Sequence, residues 1–128
     1  MNERAWAEAL LVASAFTDLQ VRPADGWARI PTYDVPPGLW TPIEVELAFR
    51  FPDGLPAEAP YAFWVRPPLV RIDGATIQNA TQASTPFGEG WQQFSWSADP
   101  WQPGATPEGG SNMLHFVRSF PGRLTEGG

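Results

Sequence analysis

Pro42-Ile43-Glu44-Val45-Glu46-Leu47-Ala48-Phe49-Arg50-Phe51 is the stretch that decides the fold. Ile43, Val45, Leu47, Phe49 and Phe51 alternate with Pro42, Glu44, Glu46, Ala48 and Arg50. A period of two turns one face of a strand to the core and the other to water. Alternation this clean belongs to an antiparallel sheet, because parallel strands are covered on both faces and read as continuous apolar runs.

Working outward, Trp27 to Val35 predicts a preceding strand, with Pro31 placing it at an edge or a bulge because proline cannot donate to the ladder. Pro36-Pro37-Gly38 is the turn between them, and the proline-rich link Pro52 to Pro60 leads to a third strand, Tyr61 to Val65, ended by Arg66-Pro67-Pro68. Before the sheet, Asn2 can cap a helix and Glu3 suits its positive end. Trp6, Leu10, Ala13 and Phe16 recur at helical spacing, so a helix is predicted from Glu3 to Leu19, broken by Arg22-Pro23-Ala24-Asp25-Gly26. Beyond Leu69 the pattern weakens. Asp73-Gly74 is a turn, Ala80 to Gly90 is polar and glycine-bearing, and a long irregular region is expected, followed by the aromatics Trp91, Phe94, Trp96 and Trp101 and a loop from Pro103 to Gly110. Ser111 or Asn112 can cap a final helix carrying Met113, Leu114, Phe116, Val117 and Phe120, with Pro121-Gly122 as its stop. The expected fold class is α+β: N-terminal helix, antiparallel β-meander, irregular aromatic segment, C-terminal helix. One domain over residues 1–124 and a flexible tail at 125–128 are expected.

The chain has no cysteine, which excludes a thiolate nucleophile, a thioester, a disulfide and a cysteine-bound metal. Its net charge is −6, and its eight cations are all arginines scattered from Arg4 to Arg123. Nucleic acid and anionic membranes both require clustered cations, so neither is an expected partner. The apolar stretch Ala7 to Phe16 is interrupted by Glu8 and Ser14 and lacks a basic flank and cleavage site, so no signal peptide is read and a cytoplasmic protein is expected. The absence of lysine has two readings: coding bias toward arginine, or avoidance of isopeptide modification at ε-amines.

Several strings resemble the core of ubiquitin-conjugating (E2) enzymes and their inactive variants, over residues 27–120. Phe51-Pro52, Pro56 and Pro60 stand where those enzymes carry a Phe-Pro and a Tyr-Pro-x-x-Pro-Pro-like turn. Asp73-Gly74 resembles the Asp-Gly before the catalytic strand, and Trp101-Gln102-Pro103 the Trp-Ser-Pro after it. Counting back from Trp101 by the family's spacing lands near Gln93, where the catalytic cysteine would stand. The fuller string Trp91-Gln92-Gln93-Phe94-Ser95 with Trp101-Gln102-Pro103-Gly104 is most similar to a bacterial E2-like family, encoded beside ubiquitin-like proteins, an E1-like activating enzyme and a deubiquitinase-like peptidase. That family often carries a histidine shortly after its tryptophan-serine stretch, where this chain has Ser97 or a near neighbour. The resemblance implies a UBC-like fold, a ubiquitin-like protein and an E1-like activating enzyme as partners, and a binding surface through Trp91, Gln93, Trp96, Trp101 and Pro103.

Without a thiolate, two readings on this fold remain: a binding or scaffolding subunit, or a carrier that takes the acyl group on serine as an oxyester. Ser95 and Ser97 are the candidate nucleophiles, with Ser111 nearby, and Asp99 and His115 the only local bases. Otherwise these serines are turn residues and helix caps. His115 is the sole histidine and cannot build a zinc site alone, and no calcium loop is present, so neither metal nor cofactor is expected. A third reading is an aromatic module for carbohydrate or peptide. Trp6 and Trp64 are expected to fill the core, leaving Trp40, Trp91, Trp96 and Trp101 as platform candidates, most of which would still be core.

Overall fold

The computed structural model describes residues 1–126. In chain order the elements are α1 (Glu3–Ala15), β1 (Gln20–Val21), β2 (Trp27–Asp34), β3 (Trp40–Thr41), β4 (Glu44–Arg50), β5 (Tyr61–Arg66), β6 (Val70–Arg71), β7 (Ala80–Thr85), β8 (Gly88–Ser97), a 3₁₀ turn (Pro107–Gly109), α2 (Met113–Arg118) and α3 (Phe120–Thr125). Six strands form one sheet in the order β1-β2-β4-β5-β8-β7, antiparallel throughout, and β3 pairs with β6 in a small second sheet. The α+β class and the antiparallel meander stand as expected.

Register assigns the faces. Ile30 lies opposite Leu47, Leu47 opposite Val65 and Phe63 opposite Phe94 on the inner face. Ala5, Ala9 and Val12 of α1, Met113, Phe116 and Val117 of α2, and Phe120 and Leu124 of α3 complete the same core. Phe120 stacks on Phe63 with ring centroids 4.3 Å apart, and Phe63 on Phe94 at 5.2 Å, contacts that add about 1 kcal/mol each beyond burial. Trp40 is fully buried and its indole N–H donates to the Leu124 carbonyl at 2.8 Å, tying β3 to α3. Gly26 has φ +77°, and a side chain there would meet the Phe51 carbonyl at 2.5 Å, so the turn into β2 requires glycine.

Several expectations are corrected. The helix α1 ends at Ala15 and not Leu19, because Phe16 leaves helical geometry and Gln20–Val21 is drawn into the sheet against Arg29 and Ala28. The region from Ala80 to Ser97 is a hairpin whose ladder shifts register between Ala83 and Thr85. Its first strand reads as loop because Thr81, Gln82 and Ser84 are exposed at the sheet edge; Pro86-Phe87 is the turn, and Gly88 and Gly90, both at positive φ, open β8. Pro121-Gly122 does not stop the last helix. The chain bends at Ser119, and Pro121 sits in the first turn of α3, where a missing N–H costs nothing. Trp6 is 43% exposed and Trp64 half-buried, so neither fills the core; α1 packs through small residues instead. Ile43 precedes β4 and is exposed. Of the tail, Thr125 belongs to α3 and residues 127–128 lie outside the described residues.

Glu8 is fully buried in α1. One carboxylate oxygen accepts from the Met113 N–H at 2.6 Å, and the other from Arg4 Nε at 2.8 Å. Arg4 continues to the Gly104 carbonyl at 3.0 Å. A single carboxylate therefore caps α2 and joins α1 to the 102–111 loop. Glu8→Ala leaves a buried N–H without an acceptor and a mostly buried guanidinium without its carboxylate, and should lower unfolding stability by about 3 kcal/mol in urea denaturation.

Candidate functional site

Where β8 runs out and α2 begins, a cleft of about 190 Å³ opens, lined by Trp96, Ser97, Ala98, Asp99, Pro100, Trp101, Ser111, Asn112, His115, Phe116 and Ser119. Two indoles form fixed walls. Trp96 donates its N–H to Ser119 Oγ at 2.8 Å, and that hydroxyl passes its own proton to the Phe116 carbonyl. Trp101 donates to the Pro56 carbonyl at 2.7 Å, fastening the cleft to the proline-rich link. The floor is closed by a backbone clasp. Ser111 N–H donates to the Gln102 carbonyl and Gln102 N–H to Ser111 Oγ, both at 2.9 Å. A Cβ on Gly110 would lie 2.5 Å from both the Gln102 carbonyl oxygen and the Gly104 nitrogen, so this close approach needs glycine. Asn112 caps α2, its side-chain oxygen accepting from the His115 N–H at 2.8 Å.

Five of the residues singled out from sequence therefore meet here: Ser97, Asp99, His115, Trp96 and Trp101. Ser97, Asp99 and His115 are exposed. No hydrogen bond among the described residues joins either Ser95 or Ser97 to Asp99 or His115, so neither serine has a base in contact. Ser95 lines a separate shallow cleft with Tyr61, Trp96, Ser97 and Asp99, and Ser111 is committed to the clasp. Pro103 lies half-buried in the loop beyond the clasp. Ser119 and Asn112 also line the cleft; Ser119 falls one helical turn after His115, a spacing from which it could have been found. Among the described residues no group of three or more His, Asp or Glu is placed to hold a metal ion.

Gln93 and Trp91 lie elsewhere. Gln93 is in the middle of β8, opposite Trp64 on β5 and Thr81 on β7, on the outer face of the sheet. Trp91 is fully buried beneath the Arg66 guanidinium, which sits 4.5 Å over its ring, so it offers no exposed aromatic platform. Arg66 also bonds Glu46 through two nitrogens, at 2.6 and 2.9 Å, and the Phe87 and Glu89 carbonyls at 3.2 Å, locking the hairpin tip onto the sheet. Arg29 reaches Glu46 from the other side at 2.8 Å. The exposed aromatic character of this face comes from Trp27 and Trp64, 4.6 Å apart, which the strand pattern did not single out as a platform.

A sheet covered on one face by helices from both ends of the chain, with a tryptophan-walled cleft after its longest strand, is consistent with an E2-like protein. The family model described as prokaryotic E2 family E matches residues 15–115, and the chain belongs to that family, as a member without cysteine. No curated protein and no solved structure matches it. No helix among the described residues is long and apolar enough to cross a membrane.

The Arg66 hydrogen bond, then that of Arg29, holds the Glu46 carboxyl below its ordinary value of 4.5. The folded state thus binds fewer protons than the unfolded one. The stability this supplies is present above about pH 4.5 and is lost as pH falls through the lowered value. Glu46→Gln should lower stability near neutral pH, by on the order of 1 kcal/mol or less after solvent screening. The gap to the parent should close as urea midpoints are followed down to about pH 3.

Proposed function

We propose that this chain is a UBC-like, non-catalytic subunit of a bacterial ubiquitin-like conjugation system, binding an E1-like activating enzyme or a ubiquitin-like protein as a scaffold. The observation that carries the reading is the fate of the cysteine position. The chain belongs to an E2 family, yet it has no cysteine, and the spacing from Trp101 puts the nucleophile's position near Gln93, a carboxamide held in mid-strand between Trp64 and Thr81. An amide neither accepts an activated acyl group nor releases one at neutral pH, so acyl transfer from that position is chemically closed. What the fold can still supply is surface: the cleft through Trp96 and Trp101, with Pro103 on the adjoining loop and Gln93 on the sheet face nearby in sequence.

One observation favours a second reading, acyl carriage on serine: Ser97 lines the same cleft as Asp99 and His115. It asks for an alcohol deprotonated by a base that no contact yet provides, and the catalytic and apo geometries of such pairs can differ. The two readings separate experimentally. Titration calorimetry of this protein against the activating enzyme and the ubiquitin-like protein encoded beside it should give saturable binding. That binding should weaken at least fivefold on Trp96→Ala and be unaffected by Ser97→Ala. Absence of binding to both proteins would overturn the proposal, whereas binding accompanied by a hydroxylamine-sensitive adduct lost in Ser97→Ala would replace it with the oxyester reading.

A further inference from the structure

The two edges of the six-stranded sheet are finished in opposite ways. On one side β1 has two residues and runs at once into Arg22-Pro23, which leaves little backbone for another strand to join. On the other side β7 has six residues, Ala80-Thr81-Gln82-Ala83-Ser84-Thr85, with no charge and no proline. Natural sheets blunt exposed edges with charged residues, proline, shortness or a covering element, because an open ladder recruits foreign strands. The β7 edge carries none of these, and its one irregularity, a register shift against β8 between Ala83 and Thr85, leaves residues 80–83 in regular pairing. It pairs only with β8, and among the described residues nothing outside that ladder hydrogen-bonds to the backbone of residues 80–84. In an antiparallel pair every second residue points its N–H and C=O away from the partner strand, so half of β7 presents unmet donors and acceptors outward.

A cleft of about 360 Å³ opens beside this edge, lined by Pro68, Gln82, Ala83, Ser84, Glu89, Gly90 and Trp91. Two further observations concern its lining. The Trp91 side chain is fully buried, and its indole N–H has no hydrogen-bond partner. Glu89 is the one ionisable residue of the lining, and the nearest guanidinium, Arg66, is committed to Glu46 and to the hairpin carbonyls. Glu89, exposed at the cleft, is therefore the carboxylate left without a cation beside walls of mostly small side chains.

We propose that β7 is a strand-addition site for an extended peptide segment of another protein. The segment adds antiparallel along residues 80–83, places one side chain in the cleft beside Ser84, and sets a lysine or arginine against Glu89. Backbone hydrogen bonds supply affinity and the cleft supplies selection, as in other sheet-edge recognition. A second copy of this chain fits less well. A β7–β7 pair brings no cation to Glu89, since the strand contains none, and it joins two chains of charge −6. This site is independent of the tryptophan-walled cleft and of the conjugation reading.

The test is selection of random dodecapeptides displayed on phage against the full-length protein, followed by amide hydrogen exchange with the enriched peptides. Enriched peptides should carry lysine or arginine among β-forming residues and slow exchange at amides within 80–85. They should bind at least tenfold more weakly to Ser84→Lys, which charges the edge, and to Glu89→Gln. Methylating alternate backbone nitrogens of a peptide should abolish its binding. The proposal is overturned if no peptide enriches, if protection falls outside β7, if both variants bind as well as the parent, or if light scattering shows a dimer in which β7 amides are already protected.

Discussion

One buried carboxylate organises the end of the molecule where the candidate site lies. Glu8 is held by α1 and its oxygens are divided: one accepts from the first N–H of α2, the other from Arg4 one turn earlier in α1, which in turn holds the Gly104 carbonyl. Helix N-termini leave amide donors without intrahelical partners, and a negative charge there also complements the helix dipole. Through this contact α1 fixes where α2 starts, and so where His115 and Ser119 stand relative to Trp96. The desolvation of the carboxylate is tolerable because all its close neighbours are donors.

From that end the two remaining devices can be understood together. The clasp between Gln102 and Ser111, made possible by glycine at 104 and 110, folds the loop after Trp101 back on itself, so the second tryptophan wall is fixed by its own backbone as well as by Pro56. On the opposite face of the sheet, the Arg29–Glu46–Arg66 network and the Arg66–Trp91 stack pin the β7–β8 hairpin. A guanidinium placed over an indole while bonding a carboxylate through two nitrogens is a role lysine could not reproduce. The chain's exclusive use of arginine has at least this structural consequence, whatever its origin.

How far the sequence discloses these features depends on the range of the interaction involved. The strand alternation from Val45 to Phe51 is a local property of one face, and it survives except at Ala48, which the pattern turns to water and the structure buries completely. The N-cap at Asn2 and the cap at Asn112 are likewise local. Glu8 is visible in the sequence only as an interruption of an apolar run, because its partner Met113 is brought to it by the fold. β7 is unreadable for a different reason: an edge strand exposed at half of its positions and fully buried at none needs no large apolar residue, so its composition is that of a loop. Trp91 misled in the opposite sense. Its neighbours in sequence suggest an aromatic surface, but its burial comes from Arg66, on another strand. The gathering of Ser97, Asp99 and His115 was partly legible, since all three flank the Trp101 motif; the lack of any contact between them was not.

The central claim is that an E2-like domain here operates without forming a covalent intermediate. Intact-mass spectrometry after incubation with an E1-like activating enzyme, ATP and a ubiquitin-like protein tests it most directly, with samples kept at mildly acidic pH so that any ester survives. The account predicts a single species at the unmodified mass of the chain while the activating enzyme itself is charged. An adduct on this chain equal to the mass of the ubiquitin-like protein less water, and removed by hydroxylamine, would contradict it.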